Sequence, residues 1–444
     1  MKKDLLTGNP SKVLISFTIP IFLSTVFQQL YTIADSLIAG KFAGEDALAA
    51  IGASYPVTMI FMAVSIGSNT GCSVIISQLF GGSRIKDMKT AVSTALITLF
   101  ALSAVITVAA LAFSPQIMTF MNTPKNIFGD ADLYFKIYIG GFTFLSLYNI
   151  ANGVFPALGD SKTPLYFLII SSVVNVILDY VFVAEFEWGV AGAAWATFIS
   201  QGAACITAVA VIIIKLKKIP SERFEFFSFP MLRNLTRVSS QTILQQSFIS
   251  VGNMLVQGIV NGYGSSVIAG YAAAIKLITF CVTSLHTVAN AMAAFTAQNV
   301  GANQYDRVKK GYRVSIVIVF VLAAVFTVSY VVFGEFFVNM FLESTESTKA
   351  LETGRNFLLI VSLAFCIVSL KVVSDAVTRG AGAIRLFAIS TFADLIIRVA
   401  LSYALAPMLG VNAVAVAWTI GWLIGMVLAV CFYKFGNWKN HKLA

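Results

Sequence analysis

The chain has 444 residues, of which 58% are hydrophobic and only 11% are charged, and its mean hydropathy is +0.85. Soluble globular proteins are roughly 45–50% apolar and about 25% charged, so the composition excludes a soluble globular fold and predicts an all-α polytopic membrane protein. The net charge of +10 is assigned to Lys and Arg in cytoplasmic loops, and no nucleic-acid partner is expected.

Twelve apolar stretches are long enough to cross a bilayer as helices. In chain order the predicted spans are 13–39, 51–80, 90–113, 132–156, 164–184, 190–214, 235–261, 267–298, 310–334, 353–376, 384–405 and 412–434. With the N-terminus inside and the spans alternating, 22 of the 30 basic residues fall on the inside and 5 on the outside. This asymmetry predicts that both termini are cytoplasmic.

The longest inside loop, residues 215–234, is predicted to be a cytoplasmic connector. It divides the chain into an N-terminal lobe, 1–214, with spans 1–6, and a C-terminal lobe, 235–444, with spans 7–12. Each lobe has an even number of spans, so two related lobes would point the same way through the membrane.

The two halves resemble each other in sequence. The segment ISQLFGG at 76–82 matches TAQNVGA at 296–302, and GVAGAAWAT at 189–197 matches GVNAVAVAW at 410–418. The sequence therefore predicts two parallel six-helix repeats. Parallel repeats of this kind are typical of transporters, with the substrate path between the halves.

Two polar side chains, Asn175 and Asp179, interrupt the fifth apolar span and lie four residues apart on one helix face. A carboxylate at the bilayer centre costs about 2.5–3.5 kcal/mol on insertion scales, so an acid in a span indicates a functional site. Asp35 in span 1 and Thr197 in span 6 are predicted to lie at a comparable depth. Tyr134 enters from the outer end of span 4.

Asp35 and Asp179 would form a coupled pair in such a pocket. The pair could exchange a proton, or it could hold Na⁺ with hard oxygen ligands. The alternative is two isolated acids, each hydrogen-bonded to its own neighbours.

The second half lacks this set, because Asn253 matches Asp35 and Arg398 matches Asp179. It carries other charges within spans 8, 10 and 11, namely Lys276, Lys371, Asp375, Asp394 and Arg398. Asp394 is predicted to pair with Arg398, and Lys276 with Asp375. This charge network has two interpretations: mutual neutralisation across packed helices, or a substrate or second ion site.

Pro20 lies within span 1 and removes one helical hydrogen bond. It is a candidate hinge, and a static kink is the alternative. The five cysteines show no CxxC or metal spacing, so no disulfide framework and no cofactor are expected. The motifs GxxxxGK[ST], HExxH and GxSxG are absent, which disfavours direct ATP drive and enzyme activity.

Three stretches and one repeated motif resemble a known family, the multidrug and toxic compound extrusion (MATE) transporters. They are IPIFLSTVFQQLYTIADSLIAGKFAGEDALAAIGASYPV at 19–57, GSNTGCSVIISQLFGG at 67–82, NGVFPALGDSKTP at 152–164, and the repeated GVAGAAWAT motif. The sequence is most similar to bacterial members of the DinF-like and MepA-like kind.

The resemblance implies two six-helix lobes, alternating access, and export of cationic or amphipathic small molecules driven by entry of H⁺ or Na⁺. It also implies a monomer in the bacterial inner (plasma) membrane. In DinF-like members the coupling site has an Asp on span 1, Asn-x₃-Asp on span 5 and a Thr on span 6. The matching residues, which would also hold Na⁺, are Asp35, Asn175, Asp179 and Thr197.

A span-4 tyrosine joins that network in the family, and Tyr134 is the best match, with Tyr138 as the second choice. Pro20 matches the span-1 proline. NorM-like members use a span-7 Glu and a span-10 Asp instead. Asp375 fits the second of these, but the span-7 Glu is missing, which disfavours a NorM-like ion site in the C-terminal lobe.

One alternative is a lipid-linked precursor flippase of the related superfamily. It would need a strongly basic cavity for pyrophosphate, and only Lys276, Lys371 and Arg398 are available within the spans. A membrane enzyme or a purely structural membrane protein is a third class. An enzyme would need a nucleophile or metal constellation that the sequence does not show.

Overall fold

A computed structural model of the chain describes residues 5–38, 45–121, 123–342 and 348–443, without the side chains of 33–38, 45–49, 51 and 56. Throughout these ranges the chain is helical, and no β-strand occurs in them. Helices satisfy their own backbone hydrogen bonds, which a segment inside a bilayer must do because no water is available there. The predicted all-α fold class is confirmed.

The first half contains eight α-helices and one π-helical segment: α1 Pro10–Ile38, α2 Glu45–Gly81, α3 Ile85–Ala112, α4 Ser114–Phe120, α5 Phe128–Gly140, α6 Phe142–Ala157, α7 Lys162–Asp179, the π-segment Tyr180–Glu185 and α8 Gly189–Lys218. The second half contains α9 Phe229–Asn261, α10 Ser265–Gly301, α11 Tyr305–Asn339, α12 Thr348–Ser362, α13 Phe365–Gly380, α14 Ile384–Leu409, α15 Asn412–Phe435 and a 3₁₀ turn, Trp438–Asn440.

Nine helices in the described ranges are long and apolar enough to cross a membrane. The number is ten if α12 and α13, which meet at a bend of 52°, count as one span. The other two predicted spans, 132–156 and 384–405, coincide with α5–α6 and with α14. The helices therefore agree with a polytopic protein of about twelve spans.

The chain forms two compact units. The N-unit is Ile19–Leu244, and the C-unit is Met1–Thr18 together with Gln245–Ala444. Both unit boundaries run through helices. One lies in α1, next to Pro20, and the other lies in α9. The predicted lobes, 1–214 and 235–444, are instead separated by the connector 215–234, and this division stays a prediction.

Helix packing is dense within each unit. In the N-unit, α6 packs against α2, α3 and α8, while α5 and α7 both pack against α8. In the C-unit, α10 packs against α11, α12 and α13, and α15 packs against α13 and α14. The three helices α5, α7 and α8, which carry four of the five predicted coupling-site residues, thus lie in one unit, with α5 and α7 both packed against α8.

The turns after α2 and α10 have the same geometry. Both helices have 37 residues. Both are followed by a non-glycine residue with positive φ, Ser83 at 57° and Asn303 at 59°. These two residues are 220 positions apart, which is the offset of the ISQLFGG and TAQNVGA match. The structure therefore supports the predicted internal repeat.

The offset between the repeats is larger further along the chain. α6 and α13 both have 16 residues, and they are followed by Gly159 at φ 78° and Gly382 at φ 91°. These glycines are 223 positions apart. The predicted match of Asp179 with Arg398 has an offset of 219, whereas the turns on either side of α7 recur at 223 and, for Gly189 at φ 52° and Gly410 at φ 56°, at 221. Arg398 is therefore two to four residues short of the position equivalent to Asp179.

Two spans predicted as continuous helices, 132–156 and 353–376, are broken. The first is interrupted at Gly141 between α5 and α6, and the second between Ser362 and Phe365. The same device stabilises both breaks. The Thr107 hydroxyl donates to the Ile139 carbonyl at 3.2 Å, and the Thr327 hydroxyl donates to the Ser362 carbonyl at 2.8 Å. Each threonine thus bonds a carbonyl beside the break that would otherwise face an apolar interior.

Helix α1 passes through Pro20 without a break. The Ser24 hydroxyl donates to the Pro20 carbonyl at 2.9 Å, an i−4 side-chain bond of the kind that often bends a helix. The proposed hinge role of Pro20 stays a prediction.

Candidate functional site

Helix α7 has its polar side chains inside and its apolar side chains outside. Of its 18 residues, all of which the structure describes, Asn175 and Asp179 alone are buried, at 2% and 1% exposure. Ile170, Val173 and Ile177 are exposed on the other faces. This is the reverse of a helix on the surface of a soluble protein, and it suits a helix between lipid and a polar interior.

The helix changes its winding directly after Asp179. Tyr180–Glu185 form a π-helical segment, and the Phe186 N–H donates to the Val181 carbonyl at 2.9 Å. Single π-turns within α-helices occur frequently at functional sites. Asp179 is thus the last α-helical residue before a local widening, a feature that apolar periodicity did not predict.

The π-segment is held in place by aromatic and glycine contacts. The Phe182 ring stacks on the Trp188 ring at 4.9 Å between centroids. Gly192 of α8 lies so close that a Cβ there would be 3.0 Å from the Phe182 carbonyl oxygen. The start of α8 therefore packs directly against the residues that follow Asp179.

The Asn175 side chain is buried, and neither its nitrogen nor its oxygen has a hydrogen-bond partner in the described part of the chain. Burying an amide without a partner costs about 1–3 kcal/mol by protein mutational data. An amide kept there at this cost is available to a proton-bearing group, a cation or a water molecule.

Thr197 lies on α8, which packs against α7, and Tyr134 lies on α5, which packs against α8. The Thr197 hydroxyl donates to the Ala193 carbonyl at 3.0 Å, so its oxygen can still accept a hydrogen bond or bind a cation. The Tyr134 and Tyr138 rings stack at 6.1 Å. Both Thr197 and Tyr134 are half-buried. Asp35 falls in α1, but its side chain lies outside the described residues, so the grouping of all five residues stays a prediction.

A cluster of four charges lies in the C-unit. The Lys371 ammonium is 3.1 Å from Asp375 Oδ2 and 3.6 Å from Asp394 Oδ2. The Arg398 Nε is 3.9 Å from Asp394 Oδ1, so the predicted pairing of these two residues is present as an ion pair without a hydrogen bond. The Ser390 hydroxyl donates to Asp375 Oδ1 at 2.6 Å.

The predicted pairing of Lys276 with Asp375 differs from the structure, in which Asp375 pairs with Lys371. The Lys276 ammonium lies over the Phe341 ring at 5.4 Å instead. Lys371 is on the same helix as Asp375, four residues earlier, and this spacing was the signal that could have identified the pair.

A further polar cluster lies before α7, where the sequence reads GDSKTP. Asp160 accepts hydrogen bonds from the backbone N–H groups of Lys162 and Thr163, both at 3.1 Å, and from the Thr163 hydroxyl at 2.5 Å. It also forms an ion pair with Lys215 at the end of α8. Burial by itself would raise the pKa of Asp160, but the bonds from Lys215 and Thr163 outweigh it and hold that pKa below its usual value.

The family model for MatE matches residues 20–181 and 242–404, well over half of the chain. The chain belongs to the MATE family. The probable multidrug resistance protein YpnP of Bacillus subtilis (strain 168) is 28% identical to it over an alignment of 450 positions, which covers 99% of this chain and 98% of that protein.

The multidrug export protein MepA of Staphylococcus aureus (strain NCTC 8325 / PS 47) is 24% identical over an alignment of 339 positions, which covers 73% of each chain. Among solved structures, the crystal structure of MATE in complex with MaL6 has a TM-score of 0.91 and 21% identity, and the match covers 98% of both chains. The fold is therefore that of MATE transporters. The protein is a multi-pass membrane transporter of small molecules, as its family and its helices indicate.

Proposed function

We propose that this MATE protein is a multidrug efflux antiporter that exports cationic or amphipathic compounds by alternating access. Entry of H⁺ or Na⁺ drives the export. The coupling ion is taken up by a site in the N-unit formed by Asp35, Asn175, Asp179 and Thr197, with Tyr134 beside it. Names of relatives such as YpnP and MepA, which refer to multidrug resistance and export, support the substrate class.

The observation that carries the proposal is the reversed polarity of α7. A bilayer-length helix buries only its amide and its carboxylate, and an intramembrane acid that is retained at a cost indicates an ion pathway. The π-segment that begins at the next residue supports the same conclusion.

The mechanism follows from charge. An ionised Asp179 favours a conformation in which water reaches it, because desolvating a carboxylate is expensive. Protonation, or a bound Na⁺, removes this cost and favours a closed form of the site. Ion and substrate need not touch each other; they need only stabilise different states, and the resulting coupling free energy is typically 1–3 kcal/mol.

The basic side chains within the C-unit disfavour a pyrophosphate substrate. Lys371 is engaged by two carboxylates. The Arg398 guanidinium lies between Asp394 and the Trp418 ring, 5.0 Å from its centroid, and Lys276 lies over Phe341. These three cations are therefore already partnered, which supports a drug exporter over a lipid-linked precursor flippase.

The test is transport in liposomes. Purified protein is reconstituted and the uptake of a cationic dye is driven by an imposed proton or sodium gradient at fixed membrane potential. We expect Asp179→Asn to lower ion-driven dye transport by about tenfold or more, because a coupling free energy of about 1–3 kcal/mol corresponds to a factor of about 5–150.

Asp87→Asn is the matched control, because it makes the same chemical change at a partly exposed acid that pairs with Arg84 at 2.7 Å. It should transport like the unmodified protein. Undiminished, gradient-dependent transport by Asp179→Asn would contradict the assignment of the site.

A further inference from the structure

The Lys371 ammonium in the C-unit bridges carboxylates from two different helices. It contacts Asp375 on its own helix, α13, at 3.1 Å and Asp394 on α14 at 3.6 Å. The three side chains are only 6–8% exposed. The two acids therefore converge on the Lys371 ammonium, and Asp394 also faces Arg398 Nε at 3.9 Å on its own helix.

The chemistry of this position is that of a monovalent-cation site. Two carboxylates brought together in a dry interior repel each other and need a positive charge or a proton between them. Carboxylate oxygens are the ligands that hard cations prefer. Asp375 also accepts the Ser390 hydroxyl at 2.6 Å, so its orientation is fixed independently of Lys371.

The neighbouring helix α15 is shaped around this arrangement. A Cβ at Gly425 would lie 2.5 Å from Cε and 3.0 Å from Cδ of Lys371, and a Cβ at Gly421 would lie 2.8 Å from Asp394 Oδ1. The two glycines, four residues apart on one face, leave room for the lysine stem and for the carboxylate that it contacts.

We propose that Lys371 is a tethered cation, and that its ammonium fills a second cation site of the C-unit, between Asp375 and Asp394. The site takes a monovalent cation or a proton when the ammonium is removed. In the native chain it keeps one charge state, so the C-unit does not exchange ions and coupling is confined to the N-unit. This consequence for coupling rests on the proposed function; the site itself does not.

The test uses the change Lys371→Met, which keeps the length of the stem and removes the charge. It is made in full-length protein that also carries Asp179→Asn, so that the N-unit site does not contribute. Thermal unfolding in detergent is followed in NaCl and in choline chloride at equal ionic strength. We expect Na⁺ to raise the Tm of the protein with Lys371→Met by about 2 °C or more. The Tm of the Asp179→Asn protein that keeps Lys371 should not depend on Na⁺.

The charge-balanced control adds Asp375→Asn to Lys371→Met. One acid and one base, Asp394 and Arg398, then remain, so the Na⁺ dependence should disappear. A Lys371→Met protein that does not respond to Na⁺ or to acidification overturns the proposal, as does a double variant that responds as strongly as the single one.

If the protein with Lys371→Met aggregates, the yield of folded protein after purification is the measurement that tests the proposal. Recovery that is restored by Asp375→Asn, or by Na⁺ during purification, supports a missing cation, and aggregation in all these conditions overturns the proposal. The readout is ion binding rather than transport. A failure of Asp179→Asn to impair transport would therefore leave this result standing, and the reverse also holds.

Discussion

Asp160 joins the start of α7 to the end of α8. Its carboxylate bonds the first free N–H groups of α7, and it pairs with Lys215 at the end of α8. Negative charge at a helix N-terminus is favourable because the first N–H groups have no helical partner. Lys215 also lies over the Phe155 ring at 4.9 Å, which fixes its stem on α6. One side-chain cluster thereby links α6, α7 and α8, the helices that position Asp179.

The two roles of Asp160 can be separated by mutation. Asp160→Asn keeps an oxygen that accepts the backbone N–H groups and loses the ion pair, whereas Asp160→Ala loses both. We expect Asp160→Ala to be less stable than Asp160→Asn by about 1 kcal/mol, the usual cost of losing a helix cap. Thermal unfolding of the purified variants measures the difference, and equal stability of the two would show that the cap contributes nothing.

The same variants give a pH prediction. The pKa of Asp160 is lowered in the folded state, so its stabilisation is present above the ordinary value of 3.8 and is lost as the pH falls below it. The stability difference between native protein and Asp160→Asn should stay constant above about pH 5 and shrink below about pH 4. A difference that changes between pH 6 and pH 8 would point to another group.

The sequence predicted some of these residues and missed others for a physical reason. Asn175 and Asp179 could be identified because polar side chains stand out in an apolar span. The pairing of Asp160 with Lys215 could not, because partners 55 residues apart meet only through the packing of α7 on α8. Lys371 could have been matched to Asp375 by its i,i+4 spacing, but Asp394 joins them only through the packing of α13 with α14.

At the scale of elements, the two broken spans have the same construction. Thr107 in α3 and Thr327 in α11 are 220 positions apart, and each bonds a carbonyl beside the break in the next span. Hydropathy predicted both spans and neither break, because it measures transfer to lipid and not backbone angles. Gly140 and Gly141 signalled the first break, since glycine pairs are common at kinks. The second break, at Leu363 and Ala364, had no such signal.

Removing the threonine hydroxyls tests whether they stabilise the breaks. Thr107→Val and Thr327→Val keep the shape of the side chain, and each leaves a carbonyl with one bond fewer. We expect each change to lower stability by about 1 kcal/mol and the pair to be additive, because the sites lie in different units. Thr207→Val is the control, since the Thr207 hydroxyl bonds only a carbonyl of its own helix, Ala203, at 2.8 Å.

At the scale of the whole chain, duplication accounts for most of the architecture. The lengths of α2 and α10, the positive-φ turns after them and the threonine-stabilised breaks all recur at offsets of 220 to 223. The buried polar and charged residues do not recur: the N-unit has Asn175 and Asp179, and the C-unit has a cluster of two acids and two bases around Lys371. The two copies thus kept their backbone and diverged in the polar and charged residues inside their helices.

Parallel repeats make a prediction about sidedness that inverted repeats do not. Lys125 precedes α5 and Lys349 lies in the first turn of α12, the equivalent helix of the second copy, and both are exposed. We replace the five native cysteines and introduce Lys125→Cys, Lys349→Cys or, in the connector, Ser221→Cys. A membrane-impermeant maleimide applied to intact cells should label the first two and leave Ser221→Cys unlabelled until the membrane is permeabilised.

Two other outcomes would contradict the predicted topology. Labelling of Lys125→Cys and Lys349→Cys from opposite sides would refute the parallel repeat. Labelling of both only after permeabilisation would refute the cytoplasmic placement of the termini.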